Sequence, residues 1–235
     1  MIKAIVFDFD GLILDTETPE FESFQEMYRA HGCELTLDVW GTCIGTGPEA
    51  FDPYQHLETL LGAAYDREAA RKLRRELHEQ KMQHTDVRPG VRQYLTQGKE
   101  MGLRIGLASS STNEWVTKYL NRYGLLEYFE CLCTRDMVTR VKPDPELYLR
   151  ALAILDVQPH EAIAFEDSPN GTLAAKRAGM FCVTVPNAVT ALLTFGEYDM
   201  RLDSMAQLPL QEVVRRLSEA SSTTLSQTSP GADSL

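Results

Sequence analysis

Long apolar runs are missing from this 235-residue chain, and none approaches the ~20 residues that a membrane-crossing helix needs. A basic excess is missing as well. Against 34 Asp and Glu stand 23 Lys and Arg, leaving a formal net charge of −11. That balance argues against a nucleic-acid partner and against attachment to an anionic membrane surface, and it favours solubility. The five cysteines (Cys33, Cys43, Cys131, Cys133, Cys182) are odd in number and scattered. They supply neither a disulfide framework nor the clustered ligands of a zinc site, and read as reduced thiols of a cytoplasmic protein. Cys131 and Cys133 alternate with Leu132 as strand packing does. A signal peptide does not fit a start that enters an apolar strand at Ile2 and meets acids by Asp8. No internal repeat is present. What is there is an ordinary globular composition, 43% hydrophobic and 24% charged, with enough aliphatic residues for a sizeable core.

Short apolar runs recur, each ending in polar residues. Ile2 to Phe7 ends at an acidic, glycine-containing turn. Leu103 to Ala108 ends in Ser109-Ser110-Ser111-Thr112, Ala162 to Phe165 in Glu166-Asp167-Ser168, and Cys182 to Val185 in Pro186-Asn187. Runs of this kind suit strands buried on both faces of a parallel sheet. Helical stripes separate them: Val91, Tyr94, Leu95 and Met101; Trp115, Val116, Tyr119 and Leu120; Leu147, Ala151, Leu152 and Leu155. Strand then helix, repeated, predicts a doubly wound, Rossmann-like α/β core with its ligand site at the carboxyl ends of the strands. Residues 16–82 break the rhythm. Their apolar positions (Phe21, Phe24, Met27, Tyr28; Leu57, Leu60, Leu61; Leu73, Leu77, Met82) are helical throughout, which predicts an inserted helical cap. The expected division is a core of 1–15 and 83–217, a cap of 16–82, and a flexible polar tail of 218–235.

The strand ends carry the chemistry. In extended backbone, residues two apart point the same way, so Asp8 and Asp10 are expected to project together. Two adjacent carboxylates repel unless a cation or a shared proton lies between them. An isolated Asp-x-Asp could equally be a turn that caps the next element. Ser109 could offer its hydroxyl, with following backbone N–H groups, to a phosphate at the start of a helix; Ser111 and Thr112 read as ordinary helix capping. Lys142, ahead of Pro143, is either a solvated surface lysine or a fixed positive charge for phosphate. Glu166 and Asp167 could be oxygen ligands for a hard cation such as Mg²⁺, or helix-capping acids.

Nucleophile acids, hydroxyl, lysine and metal acids, in that order and all at strand ends, resemble the haloacid dehalogenase superfamily. Asp8-x-Asp10-Gly11-x-x-x-Asp15-Thr16 looks like its first motif, Leu107-Ala108-Ser109 its second, Lys142-Pro143 its third, and Glu166-Asp167-Ser168 its fourth. The helical insertion, with Lys142-Pro143-Asp144-Pro145-Glu146 and Glu166-Asp167-Ser168-Pro169-Asn170-Gly171, is similar to the β-phosphoglucomutase-like phosphatase branch. The resemblance implies a nucleophile at Asp8 that becomes an aspartyl-phosphate, and a general acid and base at Asp10. It implies phosphate contacts from Ser109, Ser110 and Lys142. Mg²⁺ would be held by Asp8, Asp167, Glu166 and, through its backbone carbonyl, Asp10. An acid at position 10 sets aside dehalogenases, which lack one there, and P-type ATPases, which have Thr.

The branch contains both phosphatases and mutases. Where true β-phosphoglucomutases carry a histidine after the first motif, this chain has Glu20, and where they place a cap-loop arginine it has Pro48. With Glu17 and Glu20 near the entrance, a doubly charged sugar phosphate is unwelcome. The expectation is therefore a monomeric, cytoplasmic, Mg²⁺-dependent phosphatase acting on a small phosphate monoester. A sugar-phosphate mutase is the alternative, and a catalytically silent binding protein would have lost at least one of the four motif elements. The five histidines do not cluster and receive no role, and Trp40 and Trp115 are expected to be packing residues. Hinges for cap movement are expected near 14–16 and 80–87.

Overall fold

The computed structural model describes residues 1–41, 51–62 and 64–227. Six strands form one sheet: β1 (Ala4–Phe7), β2 (Arg104–Ala108), β3 (Cys131–Cys133), β4 (Ala162–Glu166), β5 (Phe181–Thr184) and β6 (Met200–Arg201). Their order is β3-β2-β1-β4-β5-β6, and every neighbouring pair is parallel. The chain builds outward from β1 on one side, crosses back, and builds outward from β4 on the other. The crevice beyond the carboxyl ends of β1 and β4 is thus a topological switch point, where open α/β sheets take ligands.

The two-residue period of a strand sorts the core into two layers. Ile5 and Phe7 face a layer with Ile105, Leu107, Ile163 and Phe165, covered by α5 (Val91–Glu100), α6 (Asn113–Arg122) and the carboxyl-terminal helix. Ala4 and Val6 face the opposite layer with Ala108, Ala162 and Ala164, covered by α7 (Glu146–Ile154) and α8 (Pro169–Arg177). The small side chains on this second face let those helices sit close to the sheet. Helices on both faces of a parallel sheet make the doubly wound α/β fold that the strand–helix alternation predicts.

Among the described residues, four further helices lie between β1 and α5: α1 (Glu17–Ala30), α2 (Leu37–Gly41), α3 (Pro53–Leu61) and α4 (Arg67–Met82). Among the described residues this segment contains no strand. Its buried side chains, Phe21, Phe24, Met27, Tyr28, Leu35, Trp40, Leu57 and Ala70, form an apolar cluster of their own, to which Val189 from the loop after β5 is added. The cap-loop position Pro48 and Cys43 lie outside the described residues. The chain leaves and re-enters the core side by side, with Leu14 paired antiparallel to Val87 and the Arg88 N–H donating to the Ile13 carbonyl at 2.9 Å.

One boundary differs from the sequence reading. Helix α9 (Leu210–Gln227) runs past residue 218, where the polar composition places the start of a flexible tail. Leu210, Val213 and Leu217 anchor it in the core, and once nucleated a helix propagates into polar sequence. The two-residue β6 carries too little pattern for sequence periodicity to reveal it.

Candidate active site

Four segments meet at the switch point, one from each of the strands β1, β2 and β4 and one from the loop before α7. Asp8 follows β1 directly, its N–H donating to the Phe165 carbonyl at 3.0 Å. The chain then turns sharply, with the Gly11 N–H on the Leu14 carbonyl at 2.7 Å. Gly11 has φ +79°, and a Cβ there would overlap the Asp167 carboxylate. Glycine is therefore required twice over, for the turn and for the close approach. Gly171 is required for space alone: a Cβ would collide with the Glu166 carboxylate.

Asp8, Glu166 and Asp167 are buried, and each offers a carboxylate oxygen within 4.8 Å of the others. Lys142 reaches into this group with a side chain only 6% exposed. Its ammonium binds an oxygen of Asp8, lies 2.7 Å from Glu166 and donates to the Ala108 carbonyl at 2.7 Å. The buried reading of Lys142 thus replaces the solvated one. Tyr148, from α7, donates its hydroxyl to Glu166 and lays its ring 5.0 Å from the Lys142 ammonium. The other oxygen of Glu166 is buried without a hydrogen-bond partner. Burial pushes the Asp8 carboxyl up from 3.8 to about 8, against the pull of Lys142 and with a further push from Glu166. Asp167 is driven well above the carboxylate range by burial and then by Asp8 and Glu166. One lysine does not balance three ionised buried acids, so the cluster needs retained protons or a further cation. The oxygen-only donor set, with one acid oxygen unpaired, fits a hard divalent ion such as Mg²⁺.

Asp10 is elsewhere. Its carboxylate is not in the acid cluster, as a parallel projection of residues 8 and 10 would place it. One oxygen accepts from the Trp115 indole N–H at 2.9 Å. The other accepts from Ser111 Oγ at 2.6 Å and Ser109 Oγ at 3.4 Å. The donors come from the turn after β2 and from the first turn of α6. Ser111 thus has a partner in the site, and Thr112 alone of that pair caps α6, accepting from the Trp115 N–H at 3.4 Å.

These groups open on a cavity of about 460 Å³, with Asp8, Asp10, Ser109, Ser110, Lys142 and Asp167 toward the sheet. Glu17 and Glu20 of α1 and His78 of α4 line the other side. Glu20 is held by Arg74 at 2.6 Å and lies 3.3 Å from His78. Glu17 keeps its carboxyl half-buried, and that burial, with the nearby carboxylates of Asp10, Glu20 and Asp15, pushes it from 4.5 up to about 7. Across that window the unfolded chain gives up a proton that the folded protein keeps, so stability falls as pH rises through it. Glu17→Gln should therefore stabilise the protein at about pH 8, by up to ~3 kcal/mol, and hardly at all near pH 4. Equal shifts of the melting temperature at the two pH values would contradict this.

Several residues in the site are not singled out by local sequence. Asn187 donates to Asp167 at 2.8 Å and to the Gly11 carbonyl at 3.3 Å, while its own oxygen accepts from the backbone of Val189 and Thr190. Arg88 ties the Gly11 carbonyl at 2.5 Å to the carbonyls of Val185 and Pro186 at 2.9 and 2.8 Å. Their one signal is position: Asn187 lies three residues beyond β5 and Arg88 directly after the bridged Val87. Trp40 packs between Phe21 and Phe24, as expected. Trp115 and His78 instead line the cavity, with their rings stacked at 6.1 Å.

Known proteins are similar to this chain. The family model for haloacid dehalogenase-like hydrolases matches residues 5–185. A Bacillus subtilis protein named "Putative phosphatase YhcW" is 53% identical over 210 residues, spanning 89% of this chain and 95% of its own. The β-phosphoglucomutase of the same organism is 31% identical, over 78% of this chain and 83% of its own. Among solved structures, a mutant of CbbY from Rhodobacter sphaeroides in complex with xylulose-(1,5)bisphosphate superposes with a TM-score of 0.70 at 28% identity, covering 88% of this chain and 96% of that one. None of the described helices is long and apolar enough to cross a membrane.

Proposed function

The chain belongs to the haloacid dehalogenase-like hydrolases, and from that premise we propose that it is a phosphatase, cleaving small phosphate monoesters by way of an aspartyl-phosphate on Asp8. The observation that carries this reading is the buried Lys142 ammonium, which occupies one oxygen of Asp8 while the residue faces the cavity. The second oxygen is left to attack. It forms a bond to phosphorus as the bond to the ester oxygen breaks, and Asp10 gives its proton to the departing alkoxide. Water then attacks the same phosphorus while Asp10 takes up its proton. The acyl–phosphate bond breaks, returning the Asp8 carboxylate and inorganic phosphate.

Ser109, Ser110 and Lys142, with backbone N–H groups at Phe9 and Ser110, bind the phosphoryl oxygens. Most of the rate enhancement is electrostatic positioning of this kind, because a phosphate dianion approaches a carboxylate only where donors offset the repulsion. Mg²⁺ bound by Asp8, Asp167, Glu166 and the Asp10 carbonyl would supply the positive charge that the acid cluster lacks. The helices α1 to α4 act as a cap that covers the site, hinged at the paired strands around Leu14 and Val87, and so keep stray water from the intermediate.

Hydrolysis is favoured over phosphoryl migration by Glu17 and Glu20 in the cavity lining, because carboxylates there make a doubly charged sugar phosphate unwelcome. The test is turnover of p-nitrophenyl phosphate with and without EDTA, beside glucose-1-phosphate. Activity should vanish on chelation and return with Mg²⁺, since the three crowded acids at the nucleophile would lose the cation that offsets their charge. Chelator-resistant activity would refute the metal assignment. Isomerisation of glucose-1-phosphate faster than its hydrolysis would establish the mutase instead.

A further inference from the structure

We propose that Trp115 is a positioning residue for Asp10, fixing through its indole N–H the carboxylate that serves the leaving group; this rests on the phosphatase reading above. The placement begins in the helix. Trp115 is the third residue of α6, after the Thr112 cap. Helical side chains lean toward the amino-terminal end, so the indole overhangs the start of α6 and the polar end of β2. There its N–H meets one oxygen of Asp10 at 2.9 Å.

The distribution of donors makes this contact decisive. Ser109 and Ser111 both act on the other oxygen, and a carboxylate held at one oxygen keeps more freedom to turn about its Cβ–Cγ bond than one held at both. A donor on the second oxygen removes that freedom. The two serines can also turn their hydroxyls toward a phosphate. Indole N–H is a donor only, and it has no such alternative.

The ring itself is held on two sides. Tyr119 meets it edge-on at 4.7 Å, and His78 stacks on it at 6.1 Å and 22°. His78 belongs to α4 and lies beside Glu20 of α1, which Arg74 also grips. Contacts therefore run without a gap from the helices inserted after β1, through His78 and Trp115, to the Asp10 carboxylate. A packing residue would require the ring but not the N–H. A stacking platform for substrate would do the same.

Trp115→Phe separates these roles, because it keeps an aromatic ring and removes the donor. The measurement is kcat/KM for phenyl phosphate and for p-nitrophenyl phosphate. Phenol is about as weak an acid as tyrosine, with a pKa of ~10, and its departure needs a proton. Nitrophenolate is a far better leaving group and needs little help. The parameter kcat/KM reports phosphorylation of Asp8, the half of the reaction in which Asp10 acts as an acid.

Trp115→Phe should lower kcat/KM for phenyl phosphate by ~10-fold more than for p-nitrophenyl phosphate, the weight of one hydrogen bond to a charged group. Asp10→Asn should show the same selectivity more strongly, ~10²-fold. In the Asp10→Asn background Trp115→Phe should add nothing, and Trp115→His, which keeps a ring N–H, should recover part of the loss. Equal losses on both esters, or none, would overturn the positioning role while leaving the phosphatase intact. A wild-type protein inert toward both esters would remove the phosphatase reading and this inference together.

Discussion

Asp8→Asn is expected to give a folded protein whose phosphate release falls below detection. The substitution is nearly isosteric, and the backbone bond from residue 8 to the Phe165 carbonyl is untouched, so the site keeps its shape. An amide oxygen carries no full charge and forms no acyl-phosphate that water could cleave productively. Every other contribution, from Ser109, Lys142 and the cap, acts on a bond that cannot then form. The loss should therefore be total and should lie in kcat; a residual rate within a hundredfold of wild type would mean that water attacks phosphorus directly. The fold is checked separately by the far-ultraviolet spectrum and the melting temperature. A metal-free comparison adds a second readout, since removing one of three crowded buried acids should also weaken divalent-cation binding measured by calorimetry.

Much of the fold is legible in the chain because its signals are local. β1, β2, β4 and β5 each follow from a short, largely apolar and largely buried run, and the polar residues at their ends announce the site. Lys142 and Asp167 stand out for the same reason: each is next to a proline turn or a strand end. The arrangement around Asp10 is different in kind. Its partners Ser111 and Trp115 lie 101 and 105 residues away, and nothing in the spacing of a helix start says which side chain will cross to another strand. An i, i+2 rule assumes continued strand, whereas β1 ends at Phe7 and the chain turns by Gly11. Tyr148 is hidden for another reason. It sits in the apolar stripe of α7, and only the fold reveals that its hydroxyl end reaches Glu166.

The cap helices show the same division. Their amphipathic spacing predicts helices, which are present, and the fold gathers their apolar faces into one cluster. The ion pair between Glu20 and Arg74 spans 54 residues and two helices, so the charge that faces the cavity is set by packing. A carboxylate at position 20 read alone suggests a bare negative entrance. With the Arg74 guanidinium beside it, that charge is offset. His78 adds a contact rather than a charge, because burial lowers its pKa from the ordinary 6.5, and Glu17 holds its proton up to about pH 7.

Removal of the Lys142 ammonium should be nearly as damaging as loss of the nucleophile, and it should also destabilise the fold. Burial alone would lower the lysine's pKa, yet Asp8 and Glu166 more than compensate and raise it above the ordinary 10.5. The group is therefore charged at every pH at which the protein works, and its stabilising contribution fades only as pH climbs beyond that value. Lys142→Met fills much of the same space but leaves Asp8, Glu166 and Asp167 facing one another without a protein cation. Breaking a buried pair in this way costs about 3–5 kcal/mol, which urea unfolding in EDTA at neutral pH would measure. Activity falls for two reasons at once. The phosphoryl oxygens lose a fixed positive charge, and Asp8, already pushed to about 8 with the lysine present, is pushed higher and stays neutral. We expect kcat/KM to drop by ~10³-fold or more, of the order seen when one preorganised donor is removed. Lys142→Arg should rescue little, because a planar fork cannot reach Asp8, Glu166 and the Ala108 carbonyl from one point. Activity of Lys142→Met within tenfold of wild type would show that the ammonium only holds the fold together, and that the charge facing the phosphate comes from elsewhere in the site.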